Sequence, residues 1–222
     1  MKNQLSLEER IKRIEAVHEI QNLMSKYEYY HTAGRHQETA DMFALNTPGV
    51  RAEIANWGVY EGKEGVQRVM VGVHSDADKE PRGFLHIHTL TTPVIEVARD
   101  CKTAKGIWIS PGIETTITED KKTSNWAWEK YGVDFVVENG EWKFWHFHAV
   151  FGFFYTPYHK SWIENTDKPD WYNVASLLPP ELKPDRPSTH PIWLYNPTAV
   201  TELVPIPPEP YETWDEATAY VP

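Results

Sequence analysis

Residues 125–155 read NWAWEKYGVDFVVENGEWKFWHFHAVFGFFY. Two β-rich runs, Asn125–Glu138 and Trp142–Tyr155, flank Glu138-Asn139-Gly140-Glu141. Asn-Gly between such runs is the strongest short-range hairpin signal, because both residues tolerate the positive φ that a two-residue turn demands. The pattern predicts two long antiparallel strands. Upstream, Thr103–Glu114 and Phe84–Val97 read the same way, the second with His86, His88 and Leu90 in one phase and Leu85, Ile87 and Thr89 in the other. Arg51–Trp57 alternates more weakly and reads as a further strand.

Ahead of the strands the period changes. Ile11, Ile14, Val17, Ile20, Leu23, Met24 and Tyr27 recur at three- and four-residue steps, a helical stripe over Leu5–Tyr30. Ser6 followed by Glu9 is a capping box. His36–Leu45 reads as a second, shorter helix and Val66–Val73 as a third. Helices first and then a run of antiparallel strands is an α+β order. Proline divides the chain: 12 of its 17 prolines lie from Pro169 onward. That stretch also carries Trp171, Tyr172, Trp193, Tyr195, Tyr211, Trp214 and Tyr220, a heavy aromatic load for a loose tail. The organisation expected is a domain over 1–163 and an extended arm over 164–222. The arm packs either on its own body or on a neighbouring subunit.

Lys+Arg minus Asp+Glu is 22 − 32 = −10, which argues against nucleic acid and anionic membrane as partners. No apolar run approaches the roughly 20 residues of a membrane span. MKNQLSLEERIKR lacks the apolar core of a signal peptide, so a cytoplasmic protein is the simplest reading. Cys101 alone excludes an internal disulfide or a cysteine zinc cluster, and a hairpin turn makes it structural.

Further motifs carry a resemblance. The first helix ends in an aromatic cluster, and the second reaches Asp41-Met42-Phe43. Then come Tyr60-Glu-Gly62-Lys-Glu-Gly65-Val66, His88-Thr-Leu-Thr-Thr-Pro93-Val-Ile-Glu96, Asn139-Gly-Glu-Trp142-Lys-Phe144 and Thr156-Pro157-Tyr158-His159-Lys160-Ser161-Trp162. In this order they resemble the SnoaL-like branch of the NTF2-like superfamily over about residues 5–162. The resemblance implies a cone in which a curved antiparallel sheet wraps helices around a deep pocket. It also implies kinship with bile-acid 7α-dehydratase, scytalone dehydratase, polyketide cyclases, a dehydrochlorinase and binding-only modules. The branch works without a cofactor, so none is expected, and no metal.

By the same resemblance His88 is the catalytic base and Tyr27 the donor to a substrate oxygen. Tyr30 is its understudy, on the same side of the helix. Thr32 stands where the branch places an aspartate, so the usual His–Asp dyad is not expected; Thr32 is expected to bind substrate, and His31 or Glu28 to substitute for the aspartate. His146 and His148 form a second His-x-His, in phase with Trp142 and Phe144. If both pairs face one pocket, His146 is a second acid and His86 and His148 bind substrate, or the four imidazoles hold a metal. Trp108, Trp142 and Phe144 are expected as pocket wall. Asp134 reads as a solvated residue, able to orient a histidine if it points inward. The expected function is a dehydratase-like lyase or isomerase on a bulky, apolar, cyclic small molecule; a binding module is the alternative from another class. Trp145, Phe147, Ala149 and Phe151 form an apolar outer phase, which predicts a homo-oligomer, dimer or trimer, with the arm contacting a neighbour.

Overall fold

The computed structural model describes residues 5–74, 83–117, 122–149, 151–164, 168, 172, 174–190 and 192–222. Pro169, Asp170 and Trp171 of the arm lie outside them. Helix α1 spans Leu7–Thr32, opened by the Ser6–Glu9 capping box. Its buried residues, Ala16, Ile20, Met24 and Tyr27, follow the helical step. Ile11 and Ile14 are exposed, so only the later part of the apolar stripe is used. Helix α2 is His36–Asp41, and α3, Gly62–Gln67, continues into a π-helical turn over Arg68–Val73.

The strands are β1 Arg51–Ile54, β2 Val59–Glu61, β3 His86–His88, β4 Thr91–Val97, β5 Thr103–Ile117, β6 Lys122–Glu138, β7 Glu141–Ala149 and β8 Gly152–Pro157. They form one curved sheet in the order β2-β1-β7-β6-β5-β3, with β4 also on β5 and β8 also on β6. The turn after β6 is made by Asn139 at φ 54° and Gly140 at φ 84°, as the dipeptide demands. Two expected strands are each divided. Phe84–Val97 breaks between β3 and β4, where Thr92 takes φ 48° and the pairing with β5 slips. Trp142–Tyr155 breaks near Phe151, and both halves lie along β6.

One residue decides which way β7 faces. Pairing with β6 runs Phe135↔Phe144 and then Asp134↔His146, leaving Trp145 as an extra residue, a β-bulge. Side chains alternate, so one added residue exchanges the faces of everything after it. Phe144, Phe147 and Ala149 therefore all point to the α1 side, where the rings of Tyr27, Phe43, Phe144 and Phe147 lie 4.9–5.8 Å apart in the core. His146 and His148 point to the opposite face. The expected phase, with the histidines beside Trp142 and Phe144 and with Phe147 and Ala149 outside, is corrected by the bulge. With it goes the apolar outer surface from which an oligomer was expected.

That outer face is covered by the arm. Of the two packings expected, the structure shows the arm on its own body. Strand β9, Trp193–Leu194, pairs with β8, and Val59 bridges to Arg186. Near the end of the chain the carbonyls of Thr218, Tyr220 and Val221 accept from Lys105, His148 and Arg51. Asp134 is fully buried there: Oδ1 is 2.7 Å from Lys105 Nζ, and Oδ2 is 2.9 Å from His146 Nδ1 and 3.1 Å from the Tyr220 amide. The solvated position expected for it is corrected, because the arm closes over it. No helix among the described residues is long and apolar enough to cross a membrane.

Candidate active site

Between α1 and the inner face of the sheet lies a cavity of about 270 Å³. Its walls are supplied by Tyr27 and His31 from α1, His86 and His88 from β3, Glu114 from β5, and Glu129 and Tyr131 from β6. His74, Trp57, Phe84 and Tyr155 also line it. Tyr27 and His88 thus face one pocket. His31 follows Tyr27 by four residues, and its ring stacks on the phenol at 5.7 Å and 4°. His31 also lies 5.4 Å from His88 and 6.2 Å from His86, ring to ring.

At the pocket floor His88, only 3% exposed, stands between two carboxylates. Its Nδ1 is 3.1 Å from Glu129 Oε1, off hydrogen-bond alignment, and its Nε2 is 3.4 Å from Glu114 Oε1. Room for the ring comes from Gly112, its partner on β5: a Cβ there would meet the Ile87 carbonyl at 2.5 Å and His88 Nδ1 at 3.0 Å. Burial pushes Glu129 up to about 8, partly offset by the Tyr131 hydroxyl. Burial, with the charge of Glu129 adding to it, raises Glu114 to about 7, while His88 and the Tyr155 hydroxyl hold it down. Glu28 is also buried on α1, and burial and Glu129 push it well above the carboxylate range.

The imidazoles move the other way. Burial lowers His88, with Glu114 opposing, and takes His86 down to about 3 and His74 to about 4. His31 is lowered by burial and by neighbouring His88. At neutral pH the site therefore holds uncharged imidazoles, a protonated Glu129 and a Glu114 poised to gain or lose a proton. Two sets have donor atoms within 4.8 Å of one another, His31 with His86 and His88, and His88 with Glu114 and Glu129; either has the composition to hold a divalent cation.

Several expected site residues lie elsewhere. Tyr30, 37% exposed, is turned off the buried line that runs through Tyr27 to His31. Thr32 is exposed near the end of α1. His146 and His148 lie across the sheet, held by Asp134 and the Tyr220 carbonyl. The four-imidazole site expected from the two His-x-His pairs is therefore not formed; His31 joins His86 and His88 instead. Trp108 and Phe144 are core residues, against Phe135 at 6.1 Å and 5.8 Å, and Trp142 is buried away from the pocket. Glu114 and Glu129 were not anticipated. Acids in alternating strands read as solvated, and only the cross-strand register shows that they meet a histidine.

Residues 12–148 match the family model described as a SnoaL-like domain. LinA superposes with a TM-score of 0.55 at 17% identity, covering 72% of this chain and 99% of that one. A scytalone dehydratase-like protein from Novosphingobium aromaticivorans gives 0.52 at 17% identity, over 67% of this chain and 91% of that one. Hexachlorocyclohexane dehydrochlorinase LinA-type3 from Novosphingobium barchaimii gives 0.52 at 17%, over 72% and 99%. At such identities the likeness is one of fold. No curated protein matches the chain.

Proposed function

The chain belongs to the SnoaL-like domain family, and on that premise we propose that its interior pocket is the active site of a lyase or isomerase. The reaction is a proton transfer on an uncharged, ring-bearing small molecule, with loss of water in the dehydratase form. The observation that carries this reading is His88 held between Glu129 and Glu114 at the pocket floor. The lining holds no lysine or arginine among the described residues, so an anionic substrate finds no counter-charge there.

Both nitrogens of His88 face carboxylates, so the group that meets substrate is Glu114, the more exposed of the two acids. Glu114 takes a proton from the carbon next to a carbonyl. Tyr27 donates a hydrogen bond to the oxygen on which charge develops. Glu129, protonated at neutral pH, gives its proton to the departing hydroxyl, which leaves as water as the carbon–carbon double bond forms. The proton on Glu114 then returns to Glu129 through His88, and the site is reset. Fixed groups of this kind each contribute about 10²–10⁴-fold.

A panel of compounds tests this without the natural substrate being identified first. The protein is incubated in D₂O with uncharged cyclic β-hydroxyketones, and α-carbon exchange and water loss are followed by NMR. Exchange that vanishes in Glu114→Gln and His88→Ala supports the reading. Exchange undiminished in both variants, or absent across the panel, overturns it.

A further inference from the structure

We propose that the outer groove along β6 and β8 is a second binding site, one that takes a small ring-bearing carboxylate. The groove encloses about 550 Å³, within the range of small-molecule sites and about twice the interior pocket. It lies on the opposite face of β6, where Trp126, Trp128 and Lys130 alternate with the inward Ala127, Glu129 and Tyr131. Its other walls are Phe154, Trp162, Trp193 and Tyr195.

Single exposed aromatics need no explanation, but four indoles around one depression do. Trp128 is 44% exposed and Trp162 56%. The groove is also assembled from separated parts of the chain: pairing of β9 with β8 brings Trp193 to it.

Charge selects the occupant. Lys130 is the one lysine or arginine lining the groove among the described residues, and it has no carboxylate partner there. The other lysine withdrawn into this face, Lys105, is paired with Asp134. The carboxylate of Glu129 is turned away to His88. Gly152 lies beside the ammonium, where a Cβ would be in ordinary contact, 3.4 Å from Lys130 Nζ. Burial lowers Lys130, in keeping with an ammonium partly withdrawn from water. An aromatic carboxylate supplies what is missing: a ring for the indoles and an oxyanion for the ammonium.

Calorimetric titration with hydrocinnamate, and with hydrocinnamyl alcohol as its uncharged counterpart, tests the proposal. The carboxylate is expected to bind at one site about ten- to hundredfold more tightly than the alcohol. Lys130→Met should abolish that preference, Trp128→Ser should weaken both ligands, and His88→Ala should change neither. Equal binding of acid and alcohol overturns the charge assignment. Loss of binding in His88→Ala, with Lys130→Met unaffected, moves the ligand to the interior pocket. No binding, together with a dimer that Trp128→Ser dissociates, shows a second copy in the groove instead.

Discussion

His88 Nδ1 lies 3.1 Å from Glu129 Oε1, and both groups are almost wholly withdrawn from water. Since burial raises the acid and lowers the base, the pair rests as a neutral acid beside a neutral imidazole. No ion pair has to be broken before a proton moves between them.

Glu114→Gln and His88→Ala should each lower kcat by about 10²–10⁴-fold with little change in KM, because they remove a proton path and not a binding surface. Tyr27→Phe should cost about 10²–10³-fold if the phenol meets the developing oxyanion. Steady-state kinetics on any substrate found in the exchange assay decides this. Treatment with a chelator beforehand should leave the rates unchanged; activity lost and then restored by a divalent cation would assign one of the two donor sets around His88 to a metal.

Activity should follow a bell in pH. Below about 7 Glu114 gains a proton and no longer accepts one; above about 8 Glu129 loses its proton and no longer donates. The two limbs belong to a coupled set and are read as apparent values. Glu129→Gln should lose rate at every pH, and its residual rate should show the acid limb alone. A profile flat from pH 6 to pH 9 (about one unit beyond each limb) would remove both carboxylates from the chemistry.

The same variant should be more stable than the parent at pH 8. Glu129 titrates near 8 in the folded state against an ordinary value of 4.5, so the folded state binds more protons than the unfolded one. The stability that this group contributes is present below the unfolded value and is lost as pH rises through the folded one. Glutamine removes the titration, and thermal unfolding at pH 5 and pH 8 should show the gain only at the higher value, on the order of a few kcal/mol at most. Lost activity with gained stability is the usual signature of a group held for function.

Removing Trp214–Pro222 should destabilise the protein by about 2–5 kcal/mol, since it strips partners from buried Asp134, Lys105 and His148. The interior pocket takes no residue from that segment, so the truncated protein should keep its exchange activity wherever it remains folded. Calorimetry and the D₂O assay together check both halves.

Much of the architecture is legible in the sequence for local reasons. Asn139-Gly140 states its turn, Ser6 and Glu9 state where α1 begins, and alternation states the strands. Tyr27 and His88 could be paired because helix and sheet each have a single interior. What could not be read depends on registers between strands. Glu129 meets His88 only because β3 and β6 both flank β5, with Gly112 opposite His88 on one side and Ala127 on the other. Nor does the composition of β7 announce the extra residue at Trp145, which lies among aromatics that suit either face equally well.

That extra residue gives β7 something like a reading frame. Upstream of Trp145 one parity belongs to the interior; downstream the other does, and no side chain has changed. Pairing Trp145 itself with Asp134, with no bulge, would deliver His146 and His148 to the aromatic core and hand Phe147 to a surface made for ions and carbonyls. The register with β6 is therefore as tightly specified in this strand as composition. Any chimera joined within β7 must keep Phe144 opposite Phe135 and His146 opposite Asp134 before it preserves the kind of residue between them.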